Sequence, residues 1–270
     1  MTVRTDWPTL DAIEYAPGEF LLAGRDGTMR QVKSQAGSLD LDLLTSWEAE
    51  GVPTGVDVNE GLAAVAAGGA GVLIYRLGEA GEEASLVGRF PFVGYSKDIL
   101  FQDRQTLMAS DAHHSGAWSI DVSDPMFPKR LQHVRVRSYC DSIQLCSGGS
   151  QVLMTDRAFG TVFSPVESFM DRERQEPRYT QFVEGLIVGN EFPHVQSART
   201  REDKLVITEK FTGARLFERE EDTGQWIESV RFVSSTPVTD STFLSDTRLI
   251  VADTSPALRV IDLTKDHSAK

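Results

Sequence analysis

Two adjacent imidazoles, His113 and His114, are the residues of this chain best suited to moving protons near neutral pH. Only Ala112 separates them from Asp111, so a carboxylate stands close enough in sequence to orient one of them. Successive strand residues point to opposite sides, so one of the two is expected to face a shared site. Other polar side chains recur at comparable places: Arg25 and Asp26, Asp156 and Arg157, Glu209 and Lys210, Asp253 and Thr254. Gly68 and Gly69 stand there in the second copy. Together they suggest acid–base chemistry, with His113 or His114 moving the proton and Asp111, Asp156 or Glu209 orienting it or acting as second base. Arg25, Arg157 and Lys210 could hold an anionic group or neutralise nearby carboxylates. The alternative is a set of ordinary solvated polar turns.

A second set contains Asp11, Asp57, Asp98, Asp141, Gln196 and Asp240. Five carboxylates gathered unpaired at one place would be too costly, so each must be paired, protonated or metal-bound. Backbone N–H groups at strand corners are one solution. A calcium or magnesium ion held by Asp11, Asp57, Asp98, Asp141 and Asp240 is the other, and the only cofactor the sequence suggests. His194 could add a third imidazole. Phe192, Pro193 and His194, in the apolar stretch 185–195, could form a wall or lid. Cys140 and Cys146 are the only cysteines and are expected to be free thiols. No Gly-rich phosphate loop, GxSxG elbow or HExxH motif is present.

What must position these residues is a repeat. Short apolar segments end at residues 25, 68, 111, 156, 209 and 253, in EFLLAGR, GLAAVAAG, TLMASD, QVLMTD, KLVITE and RLIVAD. The intervals of 43, 43, 45, 53 and 44 match the length of a propeller blade. Each copy reads as about four short strands rich in Val, Ile, Leu, Phe and Tyr, separated by Gly, Asp, Asn and Pro. The expected fold is all-β: a six-bladed β-propeller of four-stranded antiparallel blades in one domain, 1–270. The last copy supplies three strands, so the N-terminal segment MTVRTDW is expected to complete its blade and close the fold. The charged stretch 164–179 is expected as an insertion between outer strands of the fourth copy. Trp7, Trp47, Trp118 and Trp226 do not recur at one repeat position, and most are expected to pack between blades.

The segments GVDVNEGLAAVAAGGAGVLIYRL, SDAHHSGAWSIDVSDPMFPKRLQHV and LIVADTSPALRVIDL resemble the LVIVD-repeat β-propellers, most closely in WSIDVSDPMFP. The resemblance implies the propeller fold and an Asp-Val opening of the repeat; it implies no particular activity.

Composition narrows the partners. With 27 Lys and Arg against 40 Asp and Glu, the net charge is −13. Such a surface repels phosphate backbones and anionic lipids, so neither nucleic acid nor membrane is an expected partner. No leader-like apolar stretch begins the chain, so a cytoplasmic location is expected. Three readings follow. One is a small-molecule enzyme or binder of lyase, cyclase, isomerase or hydrolase type, acting on a ligand that could be anionic. Another is a protein-interaction scaffold with Phe92, Tyr95, Phe127 and Phe192 as anchors. A divalent-metal-dependent, lactonase-like hydrolase is the third.

Overall fold

A computed structural model describes residues 7–35, 41–79, 81–91, 94–114, 116–170, 178–179, 194–253 and 258–264. The chain is all-β, with six small antiparallel sheets that make it a six-bladed β-propeller. It divides into two compact units. Unit 1 comprises residues 1–133 and 169–176; unit 2 comprises 134–168 and 177–270.

Unit 1 carries the first three blades. Blade 1 is built of Thr9–Ala16, Glu19–Gly24, Thr28–Ser34 and Leu41–Glu48. Blade 2 has Gly55–Asn59, Leu62–Ala66, Val72–Arg76 and Ser85–Phe90. Blade 3 has Ser96–Phe101, Thr106–Asp111, Gly116–Asp121 and Lys129–Arg135. Unit 2 carries Ile143–Cys146, Gln151–Asp156 and Gly160–Pro165 in blade 4. Blade 5 has Val195–Arg201, Lys204–Glu209, Gly213–Arg219 and Trp226–Val233. Blade 6 has Val238–Ser245, Arg248–Asp253 and Leu258–Asp262. Within each blade the strands pair in sequence order as a meander.

The second strand of a blade is buried on both faces, which is why it reads as a continuous apolar run instead of alternating. In blade 2, Ala63 and Val65 face Leu21, Met29 and Trp47 of blade 1. Ala64 and Ala66, one residue out of phase, face Ile99, Leu107 and Ile120 of blade 3. Unit 2 repeats the arrangement. Leu205 and Ile207 of blade 5 pack with Leu153 of blade 4, and Val206 packs with Val238, Leu249 and Val251 of blade 6. Each fully buried Val, Leu, Ile or Met among them contributes about 1.5–3 kcal/mol of transfer free energy, and the alanines less. Two tryptophans extend these seams as expected: Trp47 lies 5.7 Å from Tyr75, and Trp226 stacks on Phe163 at 5.8 Å.

The stretch 164–179 departs from expectation. Its described part does not add an outer strand to blade 4. Instead, the short helix Glu167–Met170 buries Phe169, whose carbonyl accepts a 2.5 Å hydrogen bond from Ser119 Oγ. Arg178–Tyr179 then pairs in parallel with Val134 and Arg135 at the outer edge of blade 3. That edge is covered instead of exposed. The N-terminal residues expected to complete blade 6, apart from Trp7, lie outside the described residues.

Candidate functional site

The turns between the second and third strands hold most of the candidate side chains, and their chemistry begins with Asp111. It ends its strand with a carboxylate that is fully buried. Oδ1 accepts the backbone N–H groups of His113 at 3.0 Å and His114 at 2.9 Å, with Tyr95 N–H at 3.4 Å. Oδ2 accepts Trp118 Nε1–H at 3.0 Å. The carboxylate therefore ties the turn to the loop entering blade 3. Gly94 permits the approach, since a Cβ there would lie 2.4 Å from Asp111 Oδ1.

His114 Nδ1 lies 3.7 Å from Asp111 Oδ2, and the His114 side chain is 45% exposed. That is an ion-pair distance, longer than a hydrogen bond; such contacts are often loose in ligand-free sites. A carboxylate beside Nδ1 favours the tautomer protonated there and leaves Nε2 as the basic nitrogen. His113 is also exposed, but its ring lies against Tyr95, with centroids 5.4 Å apart and planes tilted by 41°. Behind Asp111, the Trp118 ring lies parallel to that of buried His133 at 4.2 Å, with Arg130 over it at 5.6 Å. The structure thus joins Asp111, His113 and His114. Arg25, exposed, contributes its backbone N–H to the Pro8 carbonyl, while neighbouring Asp26 is paired with Arg30. That guanidinium holds the Asp26 carboxyl down at about 2.

In unit 2, Asp156 occupies the register of Asp111 and does the same work. It is fully buried and accepts Arg137 N–H at 2.7 Å, Ser138 N–H at 3.1 Å, Ser138 Oγ–H at 2.5 Å and Ala158 N–H at 3.3 Å. At these two positions the role does not vary: a buried carboxylate latches the turn to the incoming loop. Glu209, in the same register, is buried too, but it turns inward to Thr212 and Arg215. Arg215 also binds Glu228, which pairs with Arg231. Burial pushes the Glu209 carboxyl up, against the pull of the Thr212 hydroxyl and Arg215.

Arg157, His194 and Lys210 are brought together by backbone bonds. Arg157 N–H donates to Tyr139 O, Val195 N–H to Arg157 O, and Lys210 N–H to His194 O. Their side chains have different fates. Arg157 grips fully buried Asp141 through Nε and Nη2 at 2.7 and 2.6 Å, and its guanidinium lies 4.7 Å above Tyr139. The Asp141 carboxylate raises the Arg157 pKa further, so the pair stays charged. Its role is neutralisation. Lys210 lies over the ring of exposed Phe211 at 5.4 Å, and His194 meets that ring edge-on at 5.4 Å. Phe192 and Pro193 of the expected lid, and Thr254, lie outside the described residues. Cys140 and Cys146 are not joined in a disulfide, as expected, and both are buried.

The remaining aspartates each accept at least one backbone N–H. Asp11 accepts the N–H groups of Ala12 and Val56, both at 2.9 Å. Asp57 accepts Val58 at 2.8 Å and Phe101 at 2.6 Å. Each thereby stitches its inner strand to the next blade. Asp98 and Asp240 accept the N–H of Ile99 and Ser241. Arg199 also approaches Asp240 at 3.8 Å, and Gln196 sits at a register shift. Across their hairpins, Asp11 stands opposite Ala23, Asp57 opposite Ala64 and Asp240 opposite Ala252. Among the described residues, no three His, Cys, Asp or Glu side chains converge to hold a metal ion. Two residues were not found from sequence: Tyr139, whose ring supports Arg157, and Trp118, which holds Asp111.

No family model matches the chain, and no curated protein matches it. Solved structures do resemble it. One is described as a putative 6-phosphogluconolactonase from Bacteroides uniformis ATCC 8492, with 12% identity and a TM-score of 0.74, covering 94% of this chain and 80% of that one. Another is the computationally designed Ika8 protein, at 11% identity and a TM-score of 0.65, covering 96% of this chain and 72% of that one. At these identities the likeness is one of fold.

Proposed function

We propose that this propeller binds a small molecule at the second-to-third-strand turn of blade 3 and acts on it by acid–base, hydrolase-type chemistry. The observation that carries this reading is the buried carboxylate of Asp111 beside Nδ1 of an exposed imidazole, His114. In a hydrolytic step, His114 Nε2 takes a proton from water as the water oxygen adds to an acyl or lactone carbonyl. The same proton then passes to the departing alkoxide oxygen. Asp111 is a positioning residue that stabilises the imidazolium as it forms. His113, tilted against Tyr95, flanks the site. The Bacteroides uniformis neighbour, by its description, is compatible with hydrolysis.

The test is a panel of p-nitrophenyl esters and sugar lactones, including phosphorylated ones. Turnover of at least one substrate should fall by about 10²–10⁴ in His114→Ala, the usual contribution of a general base. It should change by less than about tenfold in His113→Ala, since that ring takes no proton. Equal turnover in wild type and His114→Ala removes the assignment.

A second reading, a protein-interaction scaffold, is favoured by Met126 and Phe127, which are 64% and 66% exposed. They sit on the tight turn of SDPMFP, where Asp124 accepts Met126 N–H. The same segment carries the proposed kinship with LVIVD-repeat propellers. Loss of a pulled-down partner in Phe127→Ala, with hydrolysis intact, would favour the scaffold.

A further inference from the structure

At the opposite ends of the unit 2 strands lies a cavity of about 410 Å³, within the range of small-ligand pockets. It is formed by the hairpin tips of blades 4 and 5. Gln151 lines it from the start of the strand that Asp156 ends, so it is about 17 Å from the turns described above.

Three features of its lining define a ligand. One is apolar and flat: Phe163 and Trp226 lie parallel within 6° at 5.8 Å. A second is cationic. Arg219 Nε donates to the Gly224 carbonyl at 3.2 Å, which fixes the guanidinium and leaves its terminal nitrogens to other partners. The third is anionic: Glu202, exposed at the tip of the neighbouring hairpin. Cys146 closes the base as a neutral group, because burial pushes its thiol up.

We propose that this cavity binds a free aromatic amino acid, with its ring on Trp226 and Phe163, its carboxylate on Arg219 and its ammonium on Glu202. One cation and one anion together suit a zwitterion better than a simple anion or amine. A forked guanidinium recognises a carboxylate in two places, and the aromatic pair accepts a third ring face-on or edge-on. The inference does not depend on His114, which lies in the other unit.

The test is titration of the purified full chain with L-phenylalanine, followed by tryptophan fluorescence and calorimetry. Saturable binding is expected. Omitting the ammonium (3-phenylpropionate) or the carboxylate (phenethylamine) should weaken it at least about tenfold, the scale of one charge-assisted contact. Arg219→Ala and Glu202→Gln should each weaken L-phenylalanine by a similar factor. Both side chains are exposed, so these variants fold. Trp226→Phe should lose most of the fluorescence response, which places the ligand on that ring. No saturable binding up to about 10 mM L-phenylalanine, a concentration that detects even a Kd of about 1 mM, overturns the proposal. So does unchanged affinity in both charge variants, or equal binding of phenethylamine.

Discussion

Removing the Asp111 carboxylate should destabilise the protein by about 3 kcal/mol. Three good donors point at it: His113 N–H, His114 N–H and Trp118 Nε1–H, at 3.0, 2.9 and 3.0 Å. Hydrogen bonds to a charged acceptor contribute about 1.5–3 kcal/mol each. The two histidines are exposed, so water recovers part of their share, whereas the Trp118 donor is held at the inner oxygen. For a chain of this size about 3 kcal/mol lowers the midpoint of thermal unfolding by roughly 6–12 °C. Trp118→Phe removes only one donor and should cost about 1.5–2 kcal/mol, the lower part of that range. The double variant should cost less than the sum, with a coupling of at least about 1 kcal/mol, because the phenyl ring has no N–H left to satisfy. Thermal and urea unfolding of Asp111→Ala, Trp118→Phe and the double variant measures all three. A loss below about 1 kcal/mol for Asp111→Ala, against the expected contribution of charged hydrogen bonds, or strict additivity, refutes the reasoning.

Other predictions follow the same logic. Arg157→Ala strands the buried Asp141 carboxylate and should cost about 3 kcal/mol by denaturation, whereas adding Asp141→Asn should restore part of that loss. Asp57, raised chiefly by desolvation and lowered by its two backbone N–H donors, holds its proton more tightly folded than unfolded. Its stability contribution is therefore full below the ordinary aspartate value and fades as pH rises through the higher folded value, a trend that pH-dependent unfolding should lose in Asp57→Asn. Asp26 has the opposite sign. Its contribution is present above the ordinary value and lost as pH falls through about 2, which an NMR titration of its carboxyl carbon should show. Gly88→Ala places a Cβ 1.8 Å from the Pro125 carbonyl oxygen, so it should destabilise by more than about 1 kcal/mol in thermal denaturation.

The fold was legible because the repeat period and the doubly buried second strands are properties of sequence. LAAVAAG, bounded by turns and repeated with the blade period, reads as a strand covered on both faces, and the six such segments set the blades. The site was legible in part. The step from Asp111 to His114 is local, so their proximity could be foreseen. What could not be read was the use of Asp111 and Asp156. Their partners are mainly backbone N–H groups, which leave no mark in side-chain identity. Arg157 and Asp141 are sixteen residues apart, and only the turn geometry shows that they meet. The charged stretch 164–179 was expected between the outer strands of blade 4; one buried ring, Phe169, draws its described part to blade 3. The cavity beneath Trp226 joins three hairpin tips distant in sequence, and no motif announces it.

The account rests on Asp111 fixing His114 as a base. The chain has five histidines, so the His114 ring nitrogens can be assigned by comparison with His114→Ala. Long-range ¹H–¹⁵N correlation at a pH where the ring is neutral then reads its tautomer. Protonation at Nδ1, lost in Asp111→Ala, is the predicted result; an Nε2-protonated ring unaffected by that substitution contradicts it.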